Sequence, residues 1–354
     1  MDSRTPLLGG KGGPRRQPLP EAVLSDSVQV AGHYVEVWND EHFSRLRRKH
    51  GVPDNFLNAD KENSVDFSKC RSESKLGKGG EKQFASSDSR YIVKSVSKDD
   101  HVSLLQRGEA YVERLLTGQS LLVPIYLHFL DPASMTVYIA MRNLTPENDY
   151  WTEKYDLKGC ADDKTLVLDG RTVVPVHKRF YRADMWCSCM WTPARWTYYK
   201  GKVNARALSF NFPFDTCQEI LQCVQGDAHW LGDQGLMDYS LFLAVRRFPL
   251  KQLPGWPTVK PPDNGTATDS SQVRHFAMYD RDEVTLVTLA IIDFLQPWTA
   301  AKKVAKCIKS LEFNKATIPP AAYGKRFRRH FEERFRGDSR LKPLSAAQAR
   351  NGVV

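Results

Sequence analysis

The alternation of apolar and polar positions predicts short strands and helices from the first half of the chain onward. Residues 41–50 carry apolar positions at helical spacing and end at Gly51, a pattern typical of a helix with a glycine stop. Residues 84–96 form two apolar stretches around a polar turn, the second stretch rich in β-branched residues, which predicts a hairpin. One further helix and two strands are predicted, over residues 100–116, 121–129 and 136–141. Together these elements indicate an antiparallel sheet with one helix.

The second half shows the same mixture of elements. We expect a strand, a helix and two further strands over residues 155–158, 215–231, 238–246 and 283–294, and basic helices after them. Residues 250–272 are dense in Pro, Gly, Asp and Thr and predict a surface loop. Residues 1–25 are rich in Gly, Pro and Arg and predict a flexible leader. The pattern as a whole favours an α+β fold.

Composition is that of a globular protein that binds polyanions. With 354 residues and 41% hydrophobic content, the chain can bury one large core or two modest lobes around a cleft. Its formal charge is +10, and residues 296–354 hold 14 of its Lys and Arg residues against 4 Asp and Glu residues. This basic end is either a solvated helical surface or a surface that faces anionic lipid. A nucleic-acid reader would need stacking aromatics or a reading module there, and the sequence offers neither, so we expect no nucleic-acid partner.

Cysteine usage and hydropathy bound the cellular setting. The seven cysteines are odd in number, which favours free thiols in a reducing compartment. Their C-x-C and C-x5-C spacings over residues 187–223 do not fit paired zinc knuckles. No apolar run approaches the roughly 20 residues of a membrane span, so we expect membrane contact to be peripheral.

Two features beside the predicted hairpin can bind phosphate. The segment Gly77-Lys78-Gly79-Gly80 can bring backbone N–H groups close to an anion, although a plain turn is the simpler interpretation. Lys94 alternates with Val and Ile in the second strand, as the nucleotide-binding lysine of protein kinases does. Either Glu109 or Glu113 on the following helix could pair with it. An ordinary solvent-facing lysine is the alternative.

Three aspartates stand at predicted strand ends or turns beside apolar residues. They are Asp156, Asp238 and Asp293. An acid in such a place must be solvated, paired or bound to a metal ion. The apolar strand that ends at Asp293 is like those that present Mg²⁺ ligands in kinases, whereas a turn former or helix cap is the structural alternative.

Three segments, in order, resemble the signature blocks of the phosphatidylinositol phosphate kinase family. They are Tyr155-Asp156-Leu157-Lys158-Gly159, Leu236-Met237-Asp238-Tyr239-Ser240-Leu241 and Ile291-Ile292-Asp293-Phe294-Leu295-Gln296. Residues 43–58 are similar to the N-terminal helix of that family, and residues 87–94 to its nucleotide-lysine hairpin. The resemblance implies a two-lobed phosphoinositide-kinase fold of antiparallel sheets with helices, distantly related to protein kinases. Its parts would be an N-terminal lobe, a C-terminal lobe and a tail, over residues 26–144, 145–336 and 337–354.

The resemblance also implies a role for each candidate residue. Asp238 would lie beside the attacking inositol hydroxyl, Asp293 would bind Mg²⁺, and Asp156 with Lys158 would lie beside the phosphates. ATP would be held by the hairpin lysine, the Gly-rich segment and the hinge, through Lys94, Gly77, Gly79, Gly80, Met141, Asn143 and Leu144. The basic segment after Asp293 resembles the activation loop of the family, which reads substrate and membrane, here through Lys302, Lys303, Lys306 and Lys309.

The chain departs from the family pattern at several positions. Glu81 and Lys82 replace bulky aromatics in the Gly-rich loop, and Cys160 replaces a serine. Asp162 and Asp163 replace basic residues, which predicts weaker headgroup binding. Residues 173–213, with Trp186, Trp191 and Trp196, match the family poorly and have no role from sequence; a divergent insertion that packs its aromatics locally is the simplest account.

The resemblance leaves three functions open. The first is phosphorylation of phosphatidylinositol 4-phosphate at the 5-hydroxyl; the second is a 4-kinase acting on the 5-phosphate lipid, which Ala305 favours. The third is a catalytically weak module that binds phosphoinositide membranes. In each case the partner is a phosphoinositide in an anionic membrane, with a homodimer as an open alternative. We expect the protein on the cytoplasmic face of the plasma membrane or an endomembrane.

Overall fold

The structure is a computed structural model that describes residues 21–57, 83–86, 89–146, 150–175, 191–249, 274–280, 283–299 and 318–343. Two large sheets and five helices account for most of these residues. The fold is α+β, and nearly all strand pairings are antiparallel, as the sequence predicted.

The first sheet has six strands in the order β1-β2-β5-β6-β4-β3. Its strands are β1 (Val23–Val30), β2 (His33–Val37), β3 (Gln83–Ala85), β4 (Tyr91–Ser95), β5 (Ile125–Asp131) and β6 (Thr136–Arg142). The predicted β3–β4 hairpin is present, with Gln83 opposite Lys94. In β4, Tyr91 and Val93 are buried, whereas Lys94 is half-buried on the other face, because successive side chains of a strand alternate. The β1–β2 hairpin was not predicted, and its first strand starts inside the stretch assigned to the leader.

Two helices pack with this sheet. They are α1 (Asp40–Lys49) and α2 (Lys98–Leu116). The first is anchored by Arg47, which is fully buried, pairs with Asp40 and Asp54 at 2.7 and 2.8 Å and donates to the Tyr126 carbonyl of β5 at 2.9 Å. The second begins at Ser97, whose hydroxyl accepts a hydrogen bond from the Asp100 amide and so satisfies one free N–H of the first turn.

The second sheet has seven strands in the order β15-β12-β13-β11-β7-β8-β9. They are β7 (Glu153–Leu157), β8 (Lys164–Leu168), β9 (Arg171–Thr172), β11 (Ser240–Pro249), β12 (Arg274–Asp280), β13 (Glu283–Ile292) and β15 (Lys342–Pro343). Its centre is the β11–β13 ladder, which pairs every residue from Ser240 opposite Ile292 to Pro249 opposite Glu283. The stretch assigned to the tail therefore contributes an edge strand, since β15 pairs with β12.

Three helices accompany the second sheet. They are α3 (Pro193–Ala207), α4 (Phe214–Asp233) and α5 (Pro320–Arg334). Between them, β10 (Phe210–Phe212) and β14 (Phe335–Gly337) form a small parallel pair. Helices α4 and α5 approach closely at Gly324, where a Cβ atom would lie 2.7 Å from the Ala228 carbonyl oxygen. Only glycine fits that contact.

The two sheets are joined through one buried carboxylate, Asp227 of α4. It accepts hydrogen bonds from Arg114 of α2 at 2.9 Å, from the Ser120 hydroxyl at 2.9 Å and from the Leu121 amide at 2.6 Å. The segment that follows Ser120 pairs in turn with β13, since the Ile291 amide donates to the Leu121 carbonyl at 2.6 Å. Burial raises the pKa of Asp227, and Arg114 with the two other donors opposes that rise by favouring the ionised form.

Several minor expectations can be compared with the described residues. Cys160 and Cys217 are buried free thiols, and Cys223 is buried as well. Within the described ranges, no helix has both the length and the apolar character needed to cross a membrane. The predicted loop at residues 250–272 lies outside the described residues.

We expect Asp227→Ala to lower the free energy of unfolding by about 3–5 kcal/mol, because it leaves Arg114, Ser120 and the Leu121 amide without their shared acceptor. Urea denaturation followed by circular dichroism measures this loss. Glu333→Ala is the control, since Glu333 pairs with Arg329 on an exposed face of α5 and its removal should change little. A loss below about 1 kcal/mol for Asp227→Ala would show that the junction does not depend on this carboxylate.

Candidate active site

The three candidate aspartates lie at one end of the seven-stranded sheet. Strand β13 ends at Ile292, opposite the first residue of β11, and β7 ends at Leu157, opposite Leu241. Because these three strands are neighbours, the residues just beyond their ends meet at the same edge. The sequence-predicted Asp293, Asp238 and Lys158 are therefore brought together by strand register.

Two of these aspartates sit in an unusual backbone conformation. Asp238 has φ 65° and Asp293 has φ 55°, both in the left-handed region. Aspartate enters this region more readily than bulkier residues, yet the conformation still has an energetic cost and is concentrated at functional sites. In each case it turns the chain sharply where a strand of the central ladder begins or ends.

Each of the three carboxylates is paired with a lysine. Lys94 of β4 donates to Asp293 Oδ1 at 3.1 Å. Lys158 donates to Asp238 Oδ1 at 2.6 Å and to the Asp238 carbonyl at 2.8 Å. The third pair joins Lys164 Nζ to Asp156 Oδ2 at 2.9 Å. We call these three pairs the lysine–aspartate row.

Lys158, Lys164 and Asp156 keep their charges although burial opposes them. Burial alone would lower the pKa of Lys158, but Asp238 and Asp156 outweigh it and raise that pKa. The pKa of Lys164 is raised in the same way, chiefly by Asp156 against the effect of burial. For Asp156, burial pushes the pKa up, whereas Lys164 and Lys158 pull it below its ordinary value. The two lysines are therefore cationic and Asp156 is anionic at neutral pH.

The Asp156 carboxylate lies beside Ser240. Both residues are buried and lie on neighbouring strands, since Asp156 pairs with Phe242. A side-chain hydrogen bond with Ser240 helps to lower the pKa of Asp156. Ser240 therefore helps to hold Asp156 in its ionised form.

A tight loop carries Lys158 to its partner, and Asp163 shapes that loop. The Asp163 carboxylate is buried and accepts hydrogen bonds from the amides of Lys158 and Cys160 at 2.7 and 3.2 Å. Burial raises the pKa of Asp163 to about 6, and the amides oppose that rise. Lys202 of α3 closes the loop by donating to the carbonyls of Ala161 and Asp163. The Asp163 carboxylate faces inward and is used by the loop backbone, and the effect of Asp162 and Asp163 on headgroup binding stays a prediction.

The expected glutamate partner for Lys94 is not found on α2. Glu113 pairs instead with Arg45 of α1 at 2.6 Å, and Glu109 is exposed. In the described residues the carboxylate that contacts Lys94 is Asp293. The two glutamates were plausible from helix spacing, but the helix rotation that tertiary packing sets cannot be read from the sequence.

The predicted hinge residues occupy different environments. Asn143 is buried and bound to the β3–β4 turn. Its side-chain amide donates to the Ser89 carbonyl at 2.7 Å, and its backbone amide donates to the Arg90 carbonyl at 2.8 Å. Leu144 is buried in the core, and Met141 is half-buried in β6. Asn143 therefore holds the hinge to the hairpin that carries Lys94.

Other predicted site residues lie outside the described residues. They are Gly77, Gly79 and Gly80 with the neighbouring Glu81 and Lys82, and Lys302, Lys303, Ala305, Lys306 and Lys309. Over the ranges that are described, no cluster of three or more His, Cys, Asp or Glu side chains could hold a metal ion.

Sequence reasoning missed Lys164 and Ser240. It named Asp163 but missed that this carboxylate orders the Lys158 loop. Lys164 stands opposite Asp156 in the β7–β8 ladder, so only the strand register reveals the pair. Ser240 belongs to one of the signature segments. Its position two residues after Asp238, at the start of a predicted strand, was the available signal.

Paired cations and carboxylates, as in the lysine–aspartate row, are typical of sites that surround a reacting phosphate. The family model for phosphatidylinositol-4-phosphate 5-kinases matches residues 65–334, most of the chain, and the chain therefore belongs to this family. No curated protein is similar enough in sequence to be matched. Family membership confirms the resemblance carried by the three signature segments, and it implies a phosphatidylinositol phosphate kinase that uses ATP as phosphate donor.

We expect catalysis to depend on ionised Asp163, because protonation near pH 6 weakens the acceptor that orders the Lys158 loop. His330, 3.7 Å from this carboxylate, stays neutral in that range, because burial lowers its pKa to about 4. In kcat/KM profiles, the activity of Asp163→Asn relative to wild type should rise about tenfold from pH 7 to pH 5, since the amide does not titrate. Titration of the lipid phosphate cancels in this ratio. A ratio that does not change with pH would contradict the role of Asp163.

Proposed function

We propose that this protein transfers the γ-phosphate of ATP to phosphatidylinositol 4-phosphate at the 5-hydroxyl, giving phosphatidylinositol 4,5-bisphosphate. The observation that carries the proposal is the position of Asp238, held by Lys158 at 2.6 Å on the sheet edge that also presents Asp293 and, through it, Lys94. A phosphoryl-transfer site needs these parts within reach of one another.

Each member of the row has a proposed role. Asp238 orients the attacking inositol hydroxyl and accepts its proton, while Lys158 fixes the carboxylate and faces the charge that develops on the transferred group. Lys94 binds the α- and β-phosphates. Lys164 holds the Asp156 carboxylate, which would lie beside the phosphates.

The residues present fit ATP with a magnesium ion. Mg²⁺ in nucleotide sites is bound by one or two carboxylates together with phosphate oxygens, and Asp293 at the end of β13 is the carboxylate that we assign to it. Asp156 and Ser240 lie at the same edge of the sheet. When bound, Mg–ATP supplies the phosphoryl group and neutralises part of its charge.

We further propose that the two sheets belong to two lobes of a fold related to protein kinases. The support is that Lys94 comes from the six-stranded sheet and its partner Asp293 from the seven-stranded sheet, so the row bridges the two. The hinge of residues 142–146 lies between the last strand of the first sheet and the first strand of the second. The Gly-rich segment of residues 77–80 would cover the phosphates from the first lobe.

Substrate choice and location are part of the same proposal. Ala305 favours the alternative of a 4-kinase acting on phosphatidylinositol 5-phosphate, and the assay below separates the two. We propose that the lysines at positions 302, 303, 306 and 309 read the headgroup and the anionic surface, and that the protein acts at the cytoplasmic face of the plasma membrane or an endomembrane.

We expect radiolabelled phosphate from ATP to appear in vesicles containing phosphatidylinositol 4-phosphate, and Asp293→Asn and Asp238→Asn to lower this turnover at least about 100-fold. Asp280→Asn is the matched control. Asp280 is the exposed last residue of β12 and lies opposite Glu283, the first residue of β13, whereas Asp293 follows the last residue of β13.

Parallel vesicles containing phosphatidylinositol or its 5-phosphate complete the assay. Product from the 5-phosphate lipid alone would establish the 4-kinase. Lack of product from every lipid, with the protein folded and bound to vesicles, would leave the membrane-binding module as the function.

A further inference from the structure

Helix α3 presents an outward face that the kinase site does not use. Its exposed positions Trp196, Lys200, Val203 and Ala207 recur at intervals of three and four residues, so they form one stripe along the helix. Trp196 is 40% exposed and Val203 is 47% exposed. Large apolar side chains held in water on one helix face indicate a surface that contacts something else.

The charge of this region has a single sign. Helix α3 carries Arg195, Lys200, Lys202 and Arg206, and the sequence holds no acidic residue between Asp184 and Asp215. Lys202 points inward to the catalytic loop, whereas Lys200 and Arg206 are exposed. A face that combines apolar side chains with cations alone complements an anionic surface.

The aromatic residues at the start of α3 are those preferred at a membrane interface. Trp191 and Trp196 lie with their ring centroids 4.8 Å apart, and Tyr199 lies 5.2 Å from Trp191. Tryptophan and tyrosine are enriched where a polar end and an apolar body meet the headgroup region of a bilayer. Helices with cations and tryptophan on such a face lie in the plane of the interface.

The inner face of α3 is fixed to the loop that carries Lys158. The Thr165 hydroxyl donates to the Gly201 carbonyl at 2.7 Å, and Lys202 donates to the carbonyls of Ala161 and Asp163 at 2.8 and 3.1 Å. A surface that seats α3 therefore also fixes the position of the candidate catalytic loop. For an enzyme whose substrate is a lipid headgroup, this coupling brings the loop close to the bilayer.

We propose that the outward face of α3, defined by Trp196, Lys200, Val203 and Ala207, docks on the interface of an anionic lipid bilayer. The proposal rests on the proposed function only for the lipid nature of the substrate. A second copy of the chain fits the face less well, because two such faces would oppose like charges.

The test is co-sedimentation with vesicles of phosphatidylcholine alone or of phosphatidylcholine with one-fifth phosphatidylserine, without phosphoinositide or ATP. We expect the full-length protein to partition onto the anionic vesicles, and Trp196→Glu with Val203→Glu to lower the partition coefficient at least about tenfold. The substitution Met135→Glu is the matched control, because Met135 is 73% exposed on the β5–β6 turn. It should bind like wild type.

Charge and apolar contributions can be separated in the same assay. Lys200→Glu should weaken binding more at low salt than at high salt, whereas the loss caused by Trp196→Ala should depend little on salt. Because all substituted side chains are exposed, thermal unfolding should match wild type and exclude misfolding as the cause.

Two outcomes would overturn the docking surface. One is unchanged vesicle binding by the Trp196→Glu, Val203→Glu variant. The other is a loss of self-association in light scattering by that variant with vesicle binding intact, which would assign the face to a second copy of the chain.

Failure of the kinase proposal gives a different result. Vesicle binding that depends on α3, in a protein that phosphorylates no lipid, would remove the proposed function and leave the docking surface standing. If the protein phosphorylates a lipid but its vesicle binding does not depend on α3, the proposed function stands and the docking surface is removed.

Discussion

The buried carboxylate of Asp227 is the constraint on which the arrangement of the two sheets depends. It belongs to α4 beside the seven-stranded sheet, yet its three donors come from α2 and from the chain that leads into β5. A charge at this depth is tolerable only with its donors in place, because desolvation opposes the ionised form. The same donors place residues 121–123 against Ile291, two residues before Asp293. Packing in the core thus determines where Lys94 can meet Asp293.

From that junction outward, the site follows from strand register and paired charge. Three neighbouring strands begin or end together, and the aspartates beyond them are each held by a lysine. Asp238 and Asp156 raise the pKa of Lys158 against the effect of burial, and Lys164 and Lys158 lower the pKa of Asp156, so Lys158 and Asp156 keep their charges. Fixed charges need little reorganisation when a phosphoryl group moves, which is how a polar site of this kind lowers a reaction barrier. The left-handed backbone at Asp238 and Asp293 is consistent with such a function.

The sequence predicted features formed by neighbouring residues well, and contacts between distant parts of the chain poorly. Hairpin β3–β4, helix α2 and the β11–β13 strands follow from periodicity and turn residues, and Asp156, Asp238 and Asp293 from motifs next to apolar strands. The pairs Lys164 with Asp156 and Lys94 with Asp293 depend on strand register and on contact between sheets, which no local pattern encodes. The inward turn of Asp163 was missed for the same reason, since only the folded loop shows which amides the carboxylate binds.

The central claim is that the lysine–aspartate row binds Mg–ATP, and calorimetric titration with a non-hydrolysable ATP analogue tests it most directly. Wild type should bind the analogue more tightly with Mg²⁺ than without it. Asp293→Asn should remove this dependence on Mg²⁺, and Lys94→Met should weaken binding in both conditions. Binding that is equal in wild type and both variants, or equal with and without the metal ion in wild type, would contradict the account.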